Sequence, residues 1–279
     1  MRLRGVRGSK NVEDRRRSGG KAGAGIGGVG LLVVLAIGYF AGIDVTPFLD
    51  GQNGGGQQTT PRQLSAEEER AAAFSSKVLA TTEQVWGDVF PQTFGRDYRP
   101  PVLVLYSGVT QSPCGGASGA TGPFYCPADR KAYLDTDFFA TMARRLGAKG
   151  DFAAAYVIAH EVAHHVQNEL GILPKVNAER QRASQVDANA LTVRLELQAD
   201  CLSGVWAKFV GGMLEPGDIE EALNAARQIG DDTLQRKAGR VPQPHTFTHG
   251  TSEQRQRWFA TGYKSGDPNT CDTFSALRL

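Results

Sequence analysis

The sequence predicts an α+β protein that is mainly helical, with a small β-sheet, and that follows an N-terminal transmembrane helix. Three observations lead to this prediction. Residues 24–43 form an uncharged run of 20 residues, and most of the chain after residue 65 shows the apolar periodicity of helices. Short strand-like runs stand between residues 101 and 134. The 279 residues suffice for one membrane segment and one domain with its own core.

Residues 1–23 are predicted to be a basic cytoplasmic tail. Residues 1–21 hold eight Arg and Lys against two acids, and Asp44 and Asp50 follow the apolar run. This distribution places the N-terminus inside by the positive-inside tendency, and 20 apolar residues cross a bilayer core of about 30 Å. A cleaved signal peptide is the alternative. The long basic segment and the lack of an Ala-x-Ala site favour a retained anchor.

Residues 44–64 are predicted to be a flexible linker, because they are polar and rich in glycine. The linker would hold a domain over residues 65–279 outside the cytoplasmic membrane. The net charge of +2, and the position of the basic block beside the membrane segment, argue against nucleic acid as a partner. The sequence leaves the oligomeric state unknown.

The elements of the domain follow in order. Ser65, with Glu68 three residues later, predicts a capped helix that runs to about residue 90. Strands are predicted over 101–106, 124–125 and 131–134. Helices are predicted over 137–146, from 151 through the histidine motif, over 178–210, over 218–229 and over 252–263, with a loop over 231–250.

The pattern His160-Glu161-x-x-His164 places two histidines on one face of a helix. The two side chains are about 40° apart around the axis and one turn apart along it, so both reach one Zn²⁺. Glu161 lies at the edge of that face, where it can take a proton from the attacking water without being a ligand. The apolar flanks predict a largely buried helix, in which polar side chains need partners. An ordinary helix with surface histidines is the alternative.

Catalytic zinc usually has three protein ligands and an open position. Glu196 and Asp200 are four residues apart inside an apolar stretch, so they share one helix face. The interpretation is that Glu196 is the third ligand and that Asp200 accepts the second N–H of a ligand histidine. A solvated acidic face is the alternative. His165 turns away from the motif and is predicted to be a packing or surface residue.

The segments 160–167, 196–201 and 248–255, in this order, resemble the bacterial neutral zinc metallopeptidases, which are membrane-anchored proteins with a gluzincin-like core. The resemblance covers about residues 65–275. It implies a zincin-like domain with one Zn²⁺ per chain on His160, His164 and Glu196, Glu161 as general base, and a peptide or protein substrate. It also implies an edge strand beside the zinc helix, for which residues 131–134 are the candidate.

His245 and His249 lie in the predicted late loop, and either could donate to the oxyanion of a tetrahedral intermediate. The family-like Thr-His-Gly context favours His249. The alternative is a structural histidine that is bonded to loop carbonyls.

Four cysteines allow three pairings. We favour Cys114 with Cys126, which bracket a loop rich in glycine, and Cys201 with Cys271. A structural zinc site of four cysteines is disfavoured because no Cys-x-x-Cys pair is present. Disulfides agree with an exported domain.

The sequence therefore predicts a membrane-anchored zinc metallopeptidase. The alternative is a zinc-containing pseudoenzyme or protein-interaction module at the membrane, in which the metal only joins two helices. The presence of Glu161 favours the enzyme, because a structural zinc site needs no base and is usually closed by four ligands.

Overall fold

The structure, a computed structural model, describes residues 1–17, 63–118 and 122–279. The predicted transmembrane segment 24–43 and nearly all of the predicted linker 44–64 lie outside these ranges. Within them, no helix is both long enough and apolar enough to cross a membrane. The membrane segment therefore stays a prediction from the sequence.

The fold is mainly helical. Its helices are α1 (Ala66–Phe94), α2 (Phe138–Thr141), α3 (Asp151–Glu169), α4 (Ile172–Arg180), α5 (Gln185–Phe209), α6 (Asp218–Gln228), α7 (Asp231–Lys237) and α8 (Ser252–Ser265). A π-helical turn, Met142–Leu146, continues α2. The predicted capping box opens α1, because the Ser65 side chain accepts the Glu68 N–H and Glu68 accepts the Ser65 N–H.

The strands form one small sheet and a separate hairpin. They are β1 (Val12–Asp14), β2 (Val102–Tyr106), β3 (Val109–Ser112), β4 (Gly115–Ser118), β5 (Phe124–Cys126) and β6 (Lys131–Asp135). The sheet has the order β1-β2-β6-β5, with β5 antiparallel to β6 and the other pairs parallel, while β3 and β4 form the hairpin. The predicted α+β class with a small sheet is confirmed.

The edge strand differs from the prediction. Residues 131–134 belong to β6, which pairs with β2 on one side and with β5 on the other. The chain turns back before Lys131, so β5 covers β6 and itself becomes the edge. The Tyr125 hydroxyl on β5 is hydrogen-bonded to His165 of α3 at 2.9 Å, which fixes this edge beside the histidine helix.

Two other predictions are corrected. The helix predicted over 178–210 is two helices, because α4 ends at Arg180 and Ser184 caps α5 by accepting the Asp187 N–H. The loop predicted over 231–250 contains the short helix α7. Its acidic first turn and basic last turn suit the helix dipole.

The core centres on α3, which packs against α1, α5, α6 and the strands β5 and β6. Helix α8 lies so close to α5 that a Cβ on Gly262 would stand 1.8 Å from the Cys201 carbonyl oxygen. The Cys201–Cys271 disulfide joins the C-terminal segment to α5, and Cys114–Cys126 joins the hairpin to β5. Both predicted pairings are confirmed.

Residues 1–17, the N-terminal arm, lie against the domain rather than in a separate basic tail. Strand β1 pairs with β2, and Leu3 is buried in the main core. Arg16 is buried, donates to the Glu68 carbonyl oxygen at 2.6 Å and pairs with Asp14 at 2.6 Å. Because the arm supplies a strand and its arginines 15–17 pair with acidic side chains, it is a part of the fold.

Candidate metal centre

Two neighbouring helices bring the three predicted ligands together. His160 and His164 project from one face of α3, and Glu196 projects from α5, which packs beside it. The ligand atoms of the three side chains lie within 4.8 Å of one another. Glu196 Oε2 is 3.0 Å from His160 Nε2 and 3.4 Å from His164 Nε2.

Both imidazoles have an acceptor at the opposite nitrogen. His160 Nδ1 lies 2.9 Å from Asp200 Oδ1, and His164 Nδ1 lies 2.9 Å from Gln167 Oε1. These acceptors favour a proton on Nδ1 and leave the Nε2 lone pair directed to the centre. Two such nitrogens and one carboxylate oxygen are the donor set of a catalytic zinc site, so the residues present fit the metal.

Asp200 is the hub of a buried network. It accepts the Tyr156 hydroxyl at 2.5 Å, and it accepts Arg255 Nε at 2.8 Å and Nη2 at 2.9 Å. Burial raises the pKa of Asp200, but Arg255 and His160 lower it by more than burial raises it, so that the pKa falls to about 2. Asp200 is therefore ionised, and the guanidinium of Arg255, which is only 2% exposed, compensates its charge.

Glu161 lies beside the ligands and is buried. Burial raises the pKa of its carboxyl group, and the two histidines lower it less than burial raises it. Within the described part of the chain, this carboxylate accepts no hydrogen bond. It is therefore left available to a water molecule or a substrate.

The two late histidines differ in position. His249 lines the cleft that contains the three ligands, and its side chain is 47% exposed, whereas His245 does not line it. His249 Nδ1 stands 3.7 Å from Asp231 Oδ1, and Asp231 Oδ2 accepts the backbone N–H groups of residues 248–250. Burial raises the pKa of Asp231, but His249 and these N–H groups lower it more.

His165 has the predicted packing role. Its Nδ1 is bonded to the Tyr125 hydroxyl at 2.9 Å and its Nε2 to the Arg99 carbonyl oxygen at 2.6 Å. Burial lowers the pKa of the ring, which suits a neutral histidine. Both nitrogens are engaged, so neither remains for a metal.

The cleft runs between the edge strand and two helices. One wall comes from β5 and its flanks, and the other comes from α4 and α5. Besides the ligands, Glu161 and His249, the lining residues are Pro123, Phe124, Tyr125, Pro127, Leu173, Asn177, Arg180, Thr192 and Leu195.

Sequence reasoning did not find Gln167, Tyr156, Arg255 or Asp231. Arg255 carries the clearest signal, because it is a charged residue three positions before Trp258 and four before Phe259, and both aromatic residues pack in the core. Gln167 is three residues after His164 and so lies on the same helix face. Asp231 lies outside any predicted helix, and nothing in its local sequence points to the cleft.

Comparison with known proteins places the chain in a family. A family model described as "Putative neutral zinc metallopeptidase" matches residues 1–274. The chain belongs to this family. The match begins at residue 1 and so includes the N-terminal arm, beyond the range of about 65–275 that the resemblance covered.

Relatives of the chain are found in several bacteria. "Uncharacterized protein YpfJ" of Escherichia coli (strain K12) is 50% identical over 286 residues, which is 98% of this chain and 99% of the relative. "Uncharacterized protein Rv2575" of Mycobacterium tuberculosis (strain ATCC 25618 / H37Rv) is 44% identical over 219 residues, which is 73% of this chain and 71% of the relative. No solved structure matches the chain significantly.

Proposed function

We propose that this protein is a zinc-dependent metallopeptidase that binds one Zn²⁺ per chain through His160, His164 and Glu196. The observation that carries the proposal is the convergence of three ligand atoms beside a buried carboxylate that accepts no hydrogen bond from the described residues. Membership of a zinc metallopeptidase family supports it. A zincin-like arrangement of a histidine helix next to an edge strand agrees with it as well.

Glu161 is the general base of this reaction. When bound, zinc supplies Lewis acidity for the attack of water on a peptide carbonyl. The carboxylate of Glu161 accepts the proton of that water and passes it to the leaving amine.

His249 stabilises the oxyanion that forms on the substrate carbonyl. It lies in the same cleft as Glu161, and Asp231 stands at its Nδ1. A ring N–H of His249 that is directed into the cleft can donate to this oxyanion. Asp231 Oδ2 accepts the backbone N–H of His249, and Thr248 Oγ1 lies 3.0 Å from its Nδ1, so both neighbours help to position the ring.

Strand β5 guides the substrate into the cleft. It is the edge of the sheet, and its residues Phe124 and Tyr125 line the cleft. An extended peptide that pairs with this edge passes directly beside the ligands, as in other cases of strand addition. This geometry favours peptide or protein substrates over compact small molecules.

Membrane attachment through residues 24–43 is a further part of the proposal, and the N-terminal arm constrains its topology. The sequence alone predicts a cytoplasmic arm and an extracytoplasmic domain on opposite sides of the membrane. Strand β1 pairs with β2, and this pairing favours an arm and a domain on the same side in one molecule. We therefore propose that the apolar segment attaches to the membrane without crossing it, with both of its flanks on the side of the domain.

A broad peptide library tests the proposed activity. The zinc-loaded, full-length protein is expected to cleave members of the library, to lose this activity with a chelator and to regain it with added Zn²⁺. One bound zinc per chain without cleavage of any peptide would instead indicate a pseudoenzyme or an interaction module.

A further inference from the structure

Arg180, the last residue of α4, brings a positive charge into the metal cleft. Leu173, Asn177 and Arg180 are spaced by four and three residues, so one face of α4 forms this part of the wall. The other charged lining residues, histidines aside, are Glu161 and Glu196, which belong to the metal centre. Away from that centre, the described lining therefore carries one charge, and it is cationic.

The guanidinium of Arg180 is not neutralised by any residue in the described ranges. Its Nη1 donates to Asn177 Oδ1 at 3.2 Å, and its Nε is shielded from water without a hydrogen-bond partner. Among the residues that the structure describes, no carboxylate pairs with it. By contrast, Arg130 pairs with Glu169 and Arg255 pairs with Asp200. An arginine without a carboxylate partner, and with a shielded N–H that makes no hydrogen bond, is stabilised when an anionic acceptor binds to it.

The chemistry that suits this arrangement is a carboxylate. A guanidinium presents donors in a planar fork that matches the two oxygens of a carboxylate, and such bonds are stronger than those between neutral groups. The contact from Asn177 holds one arm of the fork. The amide nitrogen of Asn177 is left as a further donor at the same place.

On the basis of the proposed peptidase function, we propose that Arg180 is a specificity-determining residue that binds a carboxylate of the substrate. The cleft would then prefer peptides with a carboxylate close to the scissile bond. This group can be an acidic side chain or the C-terminus of the substrate, and both present the same chemistry to the guanidinium.

Binding without turnover tests this inference. The protein is the full-length, zinc-loaded chain with Glu161→Gln, and the probes are octapeptides of alanine and leucine. Each peptide holds one Glu, or its isostere Gln, and the series places this residue at each position in turn. Every peptide is made with a free and with an amidated C-terminus. We expect at least one carboxylate probe to bind roughly tenfold more tightly than its amide counterpart, which is about 1.4 kcal/mol.

Two additional variants assign this preference to a residue. Arg180→Gln is expected to reduce the preference to within about twofold, and Arg180→Lys to retain part of it. Arg182→Gln removes the same charge from an exposed arginine that does not line the cleft, so it should keep the preference. Zinc content is measured for every variant to show that the centre is intact.

Each outcome decides one question. A preference that persists in Arg180→Gln, or the absence of any difference between carboxylate and amide probes, overturns the inference. Loss of binding on C-terminal amidation identifies the terminus as the carboxylate, and loss on replacement of Glu by Gln identifies the side chain. If the wild-type chain cleaves the library and the carboxylate preference is the same in Arg180→Gln, the peptidase function stands and this inference falls. If the preference depends on Arg180 but the wild-type chain cleaves no peptide, carboxylate binding by Arg180 stands and the peptidase function falls.

Discussion

At the scale of single residues, hydrogen-bond partners decide which histidines of α3 are left for a metal. His164 and His165 are adjacent, but the ring of His165 is bonded at both nitrogens, to Tyr125 and to Arg99. His164 is bonded to Gln167 at Nδ1 only, and its Nε2 faces Glu196. The same side chain therefore serves packing at position 165 and is left available as the proposed metal ligand at position 164.

The buried charge pair at Asp200 supports both stability and the metal centre. Asp200→Asn would leave Arg255 charged and unpaired in the core. We expect a loss of roughly 3–5 kcal/mol in the free energy of unfolding, measured with denaturant. Zinc affinity, measured by competition with a chelator, should fall about 10- to 100-fold because the carboxylate that accepts from His160 becomes a neutral amide.

The control for this prediction is Asp187→Asn on the same helix. Asp187 is exposed, so its replacement should change neither quantity by more than about 1 kcal/mol. Equal effects of the two substitutions would contradict the role assigned to Asp200.

The two late histidines permit a matched test of oxyanion stabilisation. His249→Ala should lower kcat about 100-fold or more while zinc content stays at its wild-type value, because one oxyanion donor is lost. His245→Ala, outside the cleft, should leave kcat within about twofold. Similar kcat values for the two variants would remove His249 from the mechanism.

At the scale of elements, helix periodicity explains which site residues the sequence predicted. Spacings of four residues place His160 with His164, and Glu196 with Asp200, on common faces, and apolar neighbours predict that these faces are buried. The partners Tyr156, Arg255, Asp231 and Arg180 were not found. Their position at the site depends on how α4, α7 and α8 pack against α3 and α5, and local periodicity does not determine packing between elements.

The edge strand that the sequence predicts is wrong because edge position, too, depends on packing between elements. Residues 131–134 form a strand as predicted, but whether a strand lies at an edge depends on its neighbours on both sides. Such pairing is a property of the sheet, and a run of four or five residues does not encode it.

The close approach of α5 and α8 yields a prediction about stability. Gly262→Ala would place a Cβ against the Cys201 carbonyl, which is backbone and cannot rotate away. We expect a destabilisation of about 1–3 kcal/mol, read from the shift of thermal unfolding. Gly211→Ala, where a Cβ meets nothing within 4 Å, should stay within about 0.5 kcal/mol of the wild type. A smaller effect at Gly262 than at Gly211 would refute the packing argument.

At the scale of the whole molecule, the N-terminal arm belongs to the same folded domain as the candidate metal centre. By its composition, a basic block before an apolar run indicates a tail beside a membrane segment. A strand of three residues leaves too short a sequence pattern to predict a place in the sheet instead. The long-range pairing of β1 with β2 reveals the arm's place in the fold.

This arrangement predicts the side of the membrane on which the arm lies. Single cysteines at Lys10 in the arm and at Lys264 in the domain, both exposed positions, should react alike with a membrane-impermeant thiol reagent applied to intact cells. The four natural cysteines are paired in disulfides and so should not react. Labelling of one site and protection of the other would show that arm and domain are separated by the membrane.

The central claim is that Glu161 is the base of a zinc-dependent peptidase, and a paired assay of zinc content and peptide cleavage tests it most directly. Glu161→Gln in the full-length chain should retain about one zinc per chain and lose hydrolysis by a factor of 100 or more. Glu179→Gln, an exposed glutamate outside the cleft, should retain both properties. Hydrolysis at the wild-type rate by Glu161→Gln, or a wild-type chain that binds no zinc, would contradict the account.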